Sequence, residues 1–187
     1  LIGTSAENVD RAENRSIFSG ILDKLHIKQP LWQAFTSIND AKNFALDVGY
    51  PVIVRPSYVL SGAAMKVVWS QDELKEFVNN AAVVSPDHPI VISKFMLNSL
   101  EVDVDGVSNG DNVIIGAIVE HIDSAGVHSG DAMMCIPPWR LSNKIIESIT
   151  DSTIRIAREF QIKGPFNLQF LINNDQEYVI ELNIRAS

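Results

Sequence analysis

The sequence predicts an α+β fold of mostly antiparallel sheet with flanking helices. Near the C-terminus, residues 164–173 and 177–185 alternate apolar and polar side chains, which indicates a hairpin with one buried face. A second pair of strand-like segments meets at Asn109-Gly110, a dipeptide typical of tight hairpin turns. Helices and strands otherwise alternate irregularly, which does not fit a doubly wound parallel sheet.

Capping residues and helical spacing of apolar residues predict four helices. Thr4 or Ser5 is a suitable N-cap for the first, Ser37 caps a helix that stops at Gly49, and Ser70 begins a capping box. The predicted helices cover residues 6–25, 39–48, 71–83 and 143–160. The core face of the first helix consists of Ile17, Ile21, Leu22 and Leu25.

Short apolar or alternating runs predict the strands that precede the closing hairpin. They cover residues 30–35, 51–55, 65–69, 90–95, 100–107, 113–121 and 133–136.

The closing hairpin has one apolar and one oxygen-rich face. Its apolar side chains are Phe166, Leu168, Phe170 and Ile172, then Tyr178, Ile180, Leu182 and Ile184. The length of the hairpin loop decides how the two strands pair. A three-residue loop pairs Gln169 with Glu181 and Asn167 with Asn183. A two-residue loop would put the two apolar rows on opposite faces of the hairpin, so the pattern predicts three residues. Gln169, Glu181 and Asn183 then offer hard oxygen ligands that suit Mg²⁺ with substrate phosphates. The alternative is the solvated outer face of an edge hairpin.

Composition is that of an ordinary folded domain. The 187 residues are 46% apolar and 20% charged, and the net charge of −8 disfavours a nucleic-acid partner. No apolar run approaches the length of a membrane-spanning helix. Cys135 is the only cysteine, which excludes an internal disulfide and a cysteine-based zinc site, and we expect a buried, inert thiol. The absence of an initiator Met and of any signal or transit peptide predicts a piece of a longer, intracellular protein.

Two loops have the composition of ligand-binding segments. Arg55 ends a strand before a loop with Ser61-Gly62 at its tip, whose small residues allow backbone N–H groups to approach phosphate oxygens. His128 and Ser129 lie in a second polar loop, between Gly126 and Gly130. The alternative for the first loop is a plain turn, and the alternative for the second is a surface turn.

Three carboxylates follow one face of the strand that begins at Leu100. We expect Asp103 and Asp105 to be solvated, and Glu101 to be placed to accept hydrogen bonds from a ribose diol.

Segments spread from end to end resemble the ATP-grasp domains of the carbamoyl-phosphate synthase large-chain family. They are residues 3–5, 10–15, 50–65, 120–131, 164–169 and 180–187. Residues 57–65 and 127–131 are similar to the second ATP-grasp unit of that family, which phosphorylates carbamate. The resemblance implies an ATP-grasp fold over residues 1–187, with two lobes, nucleotide between them, and a smaller lid lobe of about 52–125.

The resemblance also implies roles for individual residues. Arg15 and Arg55 contact nucleotide phosphates, and Ser61 and Gly62 lie in a loop that closes over them. Met96 and the backbone near Lys94 border adenine, and Glu101 holds the ribose. Two further groups of residues complete the implied site. The residues near the ribose and the transferred group are Gly126, Val127, His128 and Ser129. The ligands of Mg²⁺ or Mn²⁺ are Gln169, Glu181 and Asn183. Arg55, His128 and Arg185 act in catalysis.

The implied activity is ATP-dependent phosphorylation of carbamate to carbamoyl phosphate. Another ATP-grasp ligase, similar to a biotin-dependent carboxylase or a peptide-type ligase, and a non-catalytic nucleotide-binding module are the alternatives. Expected partners are bicarbonate, ammonia, the remaining large-chain domains and a glutaminase, with no nucleic acid or membrane. Cytoplasm and mitochondrion both stay open, as do the pyrimidine and arginine or urea pathways. Ser61 replaces a glycine of many relatives, and an expected Arg-rich stretch after Ser187 is missing.

Overall fold

A computed structural model describes residues 3–56, 65–84, 89–123 and 132–185, leaving aside the side chains of Pro56 and of 78–84. The chain divides into two compact units. One, with a five-stranded sheet, comprises residues 1–12, 21–29 and 96–187; the other, with a four-stranded sheet, comprises 13–20 and 30–95. All strand pairings in these sheets are antiparallel, which confirms the predicted α+β class. The lid lobe expected at about 52–125 is defined by its closure over a ligand. It therefore stays a prediction.

The N-terminal segment forms two helices, α1 (Ala6–Glu13) and α2 (Arg15–Lys24). Ser5 Oγ accepts a hydrogen bond from the Asn8 N–H at 3.2 Å, as its predicted capping role requires. The prediction of one continuous helix was wrong, because Asn14 Oδ1 accepts the Ile17 N–H at 3.2 Å and so caps a new helix. Ile17 is 41% exposed rather than in the core, and the neighbouring Phe18 is 1% exposed.

The four-stranded sheet has the order β1-β4-β2-β3. Its strands are β1 (Trp32–Phe35), β2 (Val52–Pro56), β3 (Lys66–Val68) and β4 (Ile90–Lys94). Two helices, α3 (Ile38–Val48) and α4 (Gln71–Val84), pack on it. Ser37 caps α3 by accepting the Asp40 N–H, and Ser70 caps α4 by accepting the Glu73 N–H. The core of this unit includes Phe35, Ala41, Ala45, Val52, Val54, Val68, Leu74, Ile90 and Ile92.

The five-stranded sheet has the order β7-β6-β5-β8-β9. Its strands are β5 (Leu100–Asn109), β6 (Val113–His121), β7 (Met134–Cys135), β8 (Lys163–Asn173) and β9 (Gln176–Asn183). Helix α5 (Asn143–Glu159) contacts β6 and β9, and Ser142 Oγ caps it by accepting the Ile145 N–H. The buried apolar residues of the sheet and helix include Val102, Val104, Ile149, Ile156, Leu168, Phe170, Val179 and Leu182. The opposite face of β5, β8 and β9 carries the polar side chains on which the candidate site depends.

Cys135 lies on the two-residue strand β7 at the edge of this sheet. It is half-exposed, so the prediction of a buried thiol was wrong; an edge strand this short covers little of its own surface. Among the helices of the described residues, none has the length and apolar character needed to cross a bilayer.

Candidate functional site

The register of the closing hairpin places its oxygen-bearing side chains together. Gln169 lies opposite Glu181, and Asn167 lies opposite Asn183, which confirms both predicted pairs. Directly opposed residues have Cβ atoms about 4.5–5.5 Å apart, so side chains in such pairs share one local surface. Gln169 and Asn183 are half-buried and Glu181 is exposed, which leaves this surface accessible.

The turn and the strand geometry that produce this register differ from those predicted from the sequence. The turn has two residues, Asn174 and Asp175, with φ of 50° and 55°, and Asn173 pairs with Gln176. Such a turn brings Phe170 opposite Val179, and Ile180 is then an extra residue in β9 before the Gln169–Glu181 pair. The three-residue loop was therefore wrong, although the pairs it predicted are present.

The bulge also changes which residues of β9 are buried. Val179 is fully buried and Leu182 is 4% exposed, whereas Tyr178, Ile180 and Ile184 are only half-buried. The expected apolar row of β9 was thus wrong except at Leu182. An extra residue reverses the side-chain alternation, so the buried positions are odd-numbered before the bulge and even-numbered after it.

The donor set of this surface suits a hard divalent cation. Gln169, Glu181 and Asn183 present amide and carboxylate oxygens, which Mg²⁺ prefers to nitrogen or sulfur, and few protein ligands leave positions for phosphate oxygens. Arg185 stands at the edge of the group, with its guanidinium 3.5 Å from Asn183 Oδ1.

Strand β5 continues the polar surface on the other side of β8. Asp103 lies opposite Gln169, and Asp105 lies opposite Asn167 and accepts a hydrogen bond from its Nδ2 at 3.1 Å. The expectation that Asp103 is solvated was wrong, since it is 6% exposed; Asp105 is half-buried. Glu101 is also buried. A central position in the sheet explains this burial, because β6 and β8 flank β5 on both sides.

His121 is the member of this surface that sequence reasoning missed. Its ring is 1% exposed, and Nε2 lies 3.1 Å from Asp103 Oδ2. The Asn109-Gly110 turn was a usable signal, because it brings the end of β6 alongside the start of β5. Ligand atoms of Glu101, Asp103 and His121 all lie within 4.8 Å of one another.

The two predicted phosphate-binding arginines belong to the four-stranded unit. Arg15 is 6% exposed, and its guanidinium lies 5.4 Å from the centre of the Phe18 ring, in the range of a cation–π contact. Arg55 lies in β2, and its Nη1 is 3.6 Å from Met65 Sδ. Each guanidinium thus contacts a side chain of its own unit.

The predicted adenine-binding segment begins at the end of β4. Lys94 Nζ donates to the Gly49 and Tyr50 carbonyl oxygens at 2.7 and 3.3 Å, so its charge is engaged by backbone oxygens. The Met96 carbonyl accepts a hydrogen bond from Ser99 Oγ at 3.2 Å. Burial raises the pKa of the Tyr50 phenol, and the nearby Asp72 carboxylate raises it further.

Six predicted site residues lie outside the described residues. They are Ser61, Gly62, Gly126, Val127, His128 and Ser129.

A family comparison covers most of the chain. Residues 14–187 match the family model described as "Carbamoyl-phosphate synthase L chain, ATP binding domain".

Curated relatives match over the whole chain. The "Carbamoyl phosphate synthase large chain" of Saccharolobus solfataricus is 52% identical over 187 residues, which are all of this chain and 18% of that protein. The "Carbamoyl-phosphate synthase [ammonia], mitochondrial" of Rattus norvegicus is 50% identical over 187 residues and 12% of its own length. The chain therefore spans less than a fifth of either relative.

Solved structures of lower identity share the fold. A biotin carboxylase from Campylobacter jejuni matches 99% of this chain and 43% of its own, with a TM-score of 0.86 at 20% identity. A D-alanyl-alanine synthetase A from Vibrio cholerae matches 98% of this chain and 58% of its own, with a TM-score of 0.85 at 17% identity.

Proposed function

The chain belongs to the carbamoyl-phosphate synthase L chain ATP-binding domain family, and we propose that it carries the ATP-dependent phosphorylation of carbamate within a larger protein. Its fold is the ATP-grasp fold that the sequence predicted. The remaining large-chain domains and a glutaminase are the proposed partners, and bicarbonate and ammonia the proposed precursors.

One observation carries this proposal: Gln169 and Glu181 are opposed on an accessible sheet face, with Asn183 beside them on β9 and Arg185 in contact with Asn183. We assign Mg²⁺ or Mn²⁺ to these three oxygen donors. The bound ion would neutralise negative charge on the phosphate oxygens. Arg185 binds the same phosphates from the side and keeps the transferred group oriented.

The proposed reaction requires positioning rather than a protein nucleophile. A carbamate oxygen forms a bond to the γ-phosphorus of ATP, and the bond from that phosphorus to the β–γ bridging oxygen breaks. The products are carbamoyl phosphate and ADP. Arg15 and Arg55 hold the nucleotide phosphates and stabilise the charge that develops on the leaving oxygen.

The remaining site residues position the nucleotide in this proposal. Met96 and the backbone near Lys94 border adenine, and Glu101 accepts hydrogen bonds from the ribose. Ser61 and Gly62 close over the phosphates. The second loop, which includes Gly126, Val127, His128 and Ser129, lines the ribose and the transferred group, with His128 acting in catalysis.

We place the protein in the cytoplasm, with the mitochondrion as the alternative. The rat relative is a mitochondrial protein by name.

Glu181→Gln in the full-length protein tests the proposal. We expect carbamoyl-phosphate synthesis to fall roughly a hundredfold or more at ordinary Mg²⁺, because one charged ligand is replaced by a neutral one. Glu147→Gln is the matched control, since Glu147 is exposed on α5. Normal synthesis by Glu181→Gln would contradict the cation assignment. ADP release that depends on biotin or an amino acid, and not on carbamate, would contradict the substrate.

A further inference from the structure

A second group of possible metal ligands consists of Glu101, Asp103 and His121. Its composition differs from that of the first group, which consists of Gln169, Glu181 and Asn183. Its three side chains come from the start of β5 and the end of β6, and all three residues are buried. It combines an imidazole nitrogen with two carboxylates. From this arrangement we propose that Glu101, Asp103 and His121 bind one divalent transition-metal ion of the Zn²⁺ class when nucleotide is absent.

Charge is the first reason. Two carboxylates buried close together repel each other, and an isolated buried carboxylate is costly unless a cation or hydrogen-bond donors compensate it. Asp103 Oδ2 is hydrogen bonded to His121, but Asp103 Oδ1 is buried and has no hydrogen-bond partner in the part of the chain that the structure describes. The Asp103 side chain is only 8% exposed, so solvent does little to compensate it. A divalent cation bound here would compensate the Asp103 carboxylate.

Geometry is the second reason. Zn²⁺ binds imidazole nitrogen and carboxylate oxygen at about 2.0–2.2 Å, so two ligand atoms of a tetrahedral site are about 3.4 Å apart. His121 Nε2 and Asp103 Oδ2 are 3.1 Å apart, close to that value. The third ligand atom, from Glu101, lies within 4.8 Å of the other two. Shortening these separations to about 3.4 Å would complete a three-ligand site with a fourth position left for water.

The donor types set the class of ion. An imidazole nitrogen favours Zn²⁺ or Co²⁺, whereas Mg²⁺ and Mn²⁺ are better suited to oxygen ligands alone. The neighbouring surface provides the contrast, because Gln169 and Glu181 offer only oxygen. The two sites should therefore be separable by the ion added.

A consequence follows for nucleotide binding, and it depends on the proposed contact of Glu101 with the ribose. Glu101 cannot ligate the ion and hold a ribose diol in the same orientation, so the ion and ATP should compete. Zn²⁺ would then inhibit the enzyme by occupying the ribose contact.

Co²⁺ titration tests the site, with the full-length protein freed of other transition metals and kept in excess Mg²⁺. Tetrahedral Co²⁺ absorbs visible light much more strongly than the hydrated, octahedral ion. We expect one equivalent to bind with visible absorption, and Zn²⁺ to displace it. His121→Asn and Glu101→Gln should each weaken binding roughly a hundredfold, since each removes a ligand. Glu181→Gln is the control and should leave Co²⁺ binding unchanged. Thermal unfolding of each variant establishes whether it is folded. If His121→Asn does not fold, Glu101→Gln alone provides the test.

The results separate the site from the ribose assignment. Absence of Co²⁺ absorption in excess Mg²⁺, or unchanged binding in folded His121→Asn and Glu101→Gln, would overturn the metal site. If Co²⁺ binds as expected but a non-hydrolysable ATP analogue does not displace it, the metal site stands and the Glu101–ribose contact fails. Loss of activity in Glu181→Gln with intact Co²⁺ binding supports both sites independently.

Discussion

Glu120 and Arg140 form an ion pair in which the Glu120 side chain is fully buried and the Arg140 side chain is 30% exposed. Glu120 Oε2 also accepts the backbone N–H groups of Trp139 and Arg140, each at 3.0 Å, and Oε1 accepts the Arg140 Nε–H. Arg140 in turn donates to the His121 carbonyl oxygen. One side chain at the end of β6 therefore fixes the segment that leads into α5.

Removing this carboxylate should be costly. We expect Glu120→Ala to lower the free energy of unfolding by about 3–5 kcal/mol, because Arg140 and two backbone N–H groups lose their acceptor. Arg140→Ala should cost less, about 1–3 kcal/mol, since its guanidinium is partly solvated and Glu120 keeps two backbone donors. Urea denaturation measures both.

Asp151→Ala is the control for this pair. Asp151 is paired with Arg155 on α5, but its side chain is 67% exposed, so its loss should cost no more than about 0.5 kcal/mol. A similar small loss in Glu120→Ala would show that the buried pair contributes little.

Gly106 permits close approach of an aromatic ring to β5. A Cβ atom at this position would lie 2.6 Å from Phe166 Cζ and 3.1 Å from the Ile114 carbonyl oxygen. Phe166 is 1% exposed, so its ring would have to move within a packed interior. We therefore expect Gly106→Ala to destabilise the protein by about 1–3 kcal/mol, measured by thermal or urea unfolding.

A double-mutant cycle identifies the cause of this loss. Phe166→Leu removes the clashing ring atoms, so Gly106→Ala should cost much less in the Phe166→Leu background. Gly116→Ala is the matched control, because its Cβ would meet only the Asp105 carbonyl oxygen at 3.5 Å. Equal costs of Gly106→Ala in both backgrounds would exclude the ring as the source of strain.

The bulge at Ile180 leads to an unusual prediction for a deletion. Removing Ile180 leaves the two-residue turn intact and pairs Glu181 with Gln169 in a regular ladder, so the oxygen donors keep their face. We expect this variant to retain Mn²⁺ affinity within about tenfold, measured by electron paramagnetic resonance.

Deletion of Leu182 is the opposite case. It moves Asn183 from its place opposite Asn167 to a place opposite Leu168, on the buried face. Mn²⁺ affinity should then fall roughly a hundredfold, by loss of one ligand and disruption of the core. If the Ile180 deletion lost as much affinity as the Leu182 deletion, the bulge itself would be needed to shape the site.

Much of the candidate site was predictable because strand pairing follows from local patterns. The alternation of β8 and the polar residues of β9 were enough to pair Gln169 with Glu181. The turn length was not predictable, because two residues plus a bulge and three residues without one give the same Gln169–Glu181 and Asn167–Asn183 pairs. The pairing of Asn173 with Gln176 and the burial of Val179 distinguish the two arrangements.

The burial of Asp103 and His121 could not be predicted from the sequence, for a different reason. Carboxylates at alternate positions of a strand have the same pattern whether water or a neighbouring strand covers them. Flanking strands β6 and β8 decide between the two, and β6 also brings His121 to Asp103. The break at Asn14 is similar, since an Asn within a helical pattern can either point to solvent or cap a new helix.

The sequence by itself determined the α+β class, most of the strands and helices, and the cross-strand pairs of the oxygen-rich face. These features depend on side-chain periodicity, caps and turns, which act over a few residues. Tertiary structure alone decided the bulge at Ile180, the burial of the Asp103–His121 pair and the Glu120–Arg140 contact. Each of these depends on which distant segments exclude water from a polar group, and no local pattern encodes that.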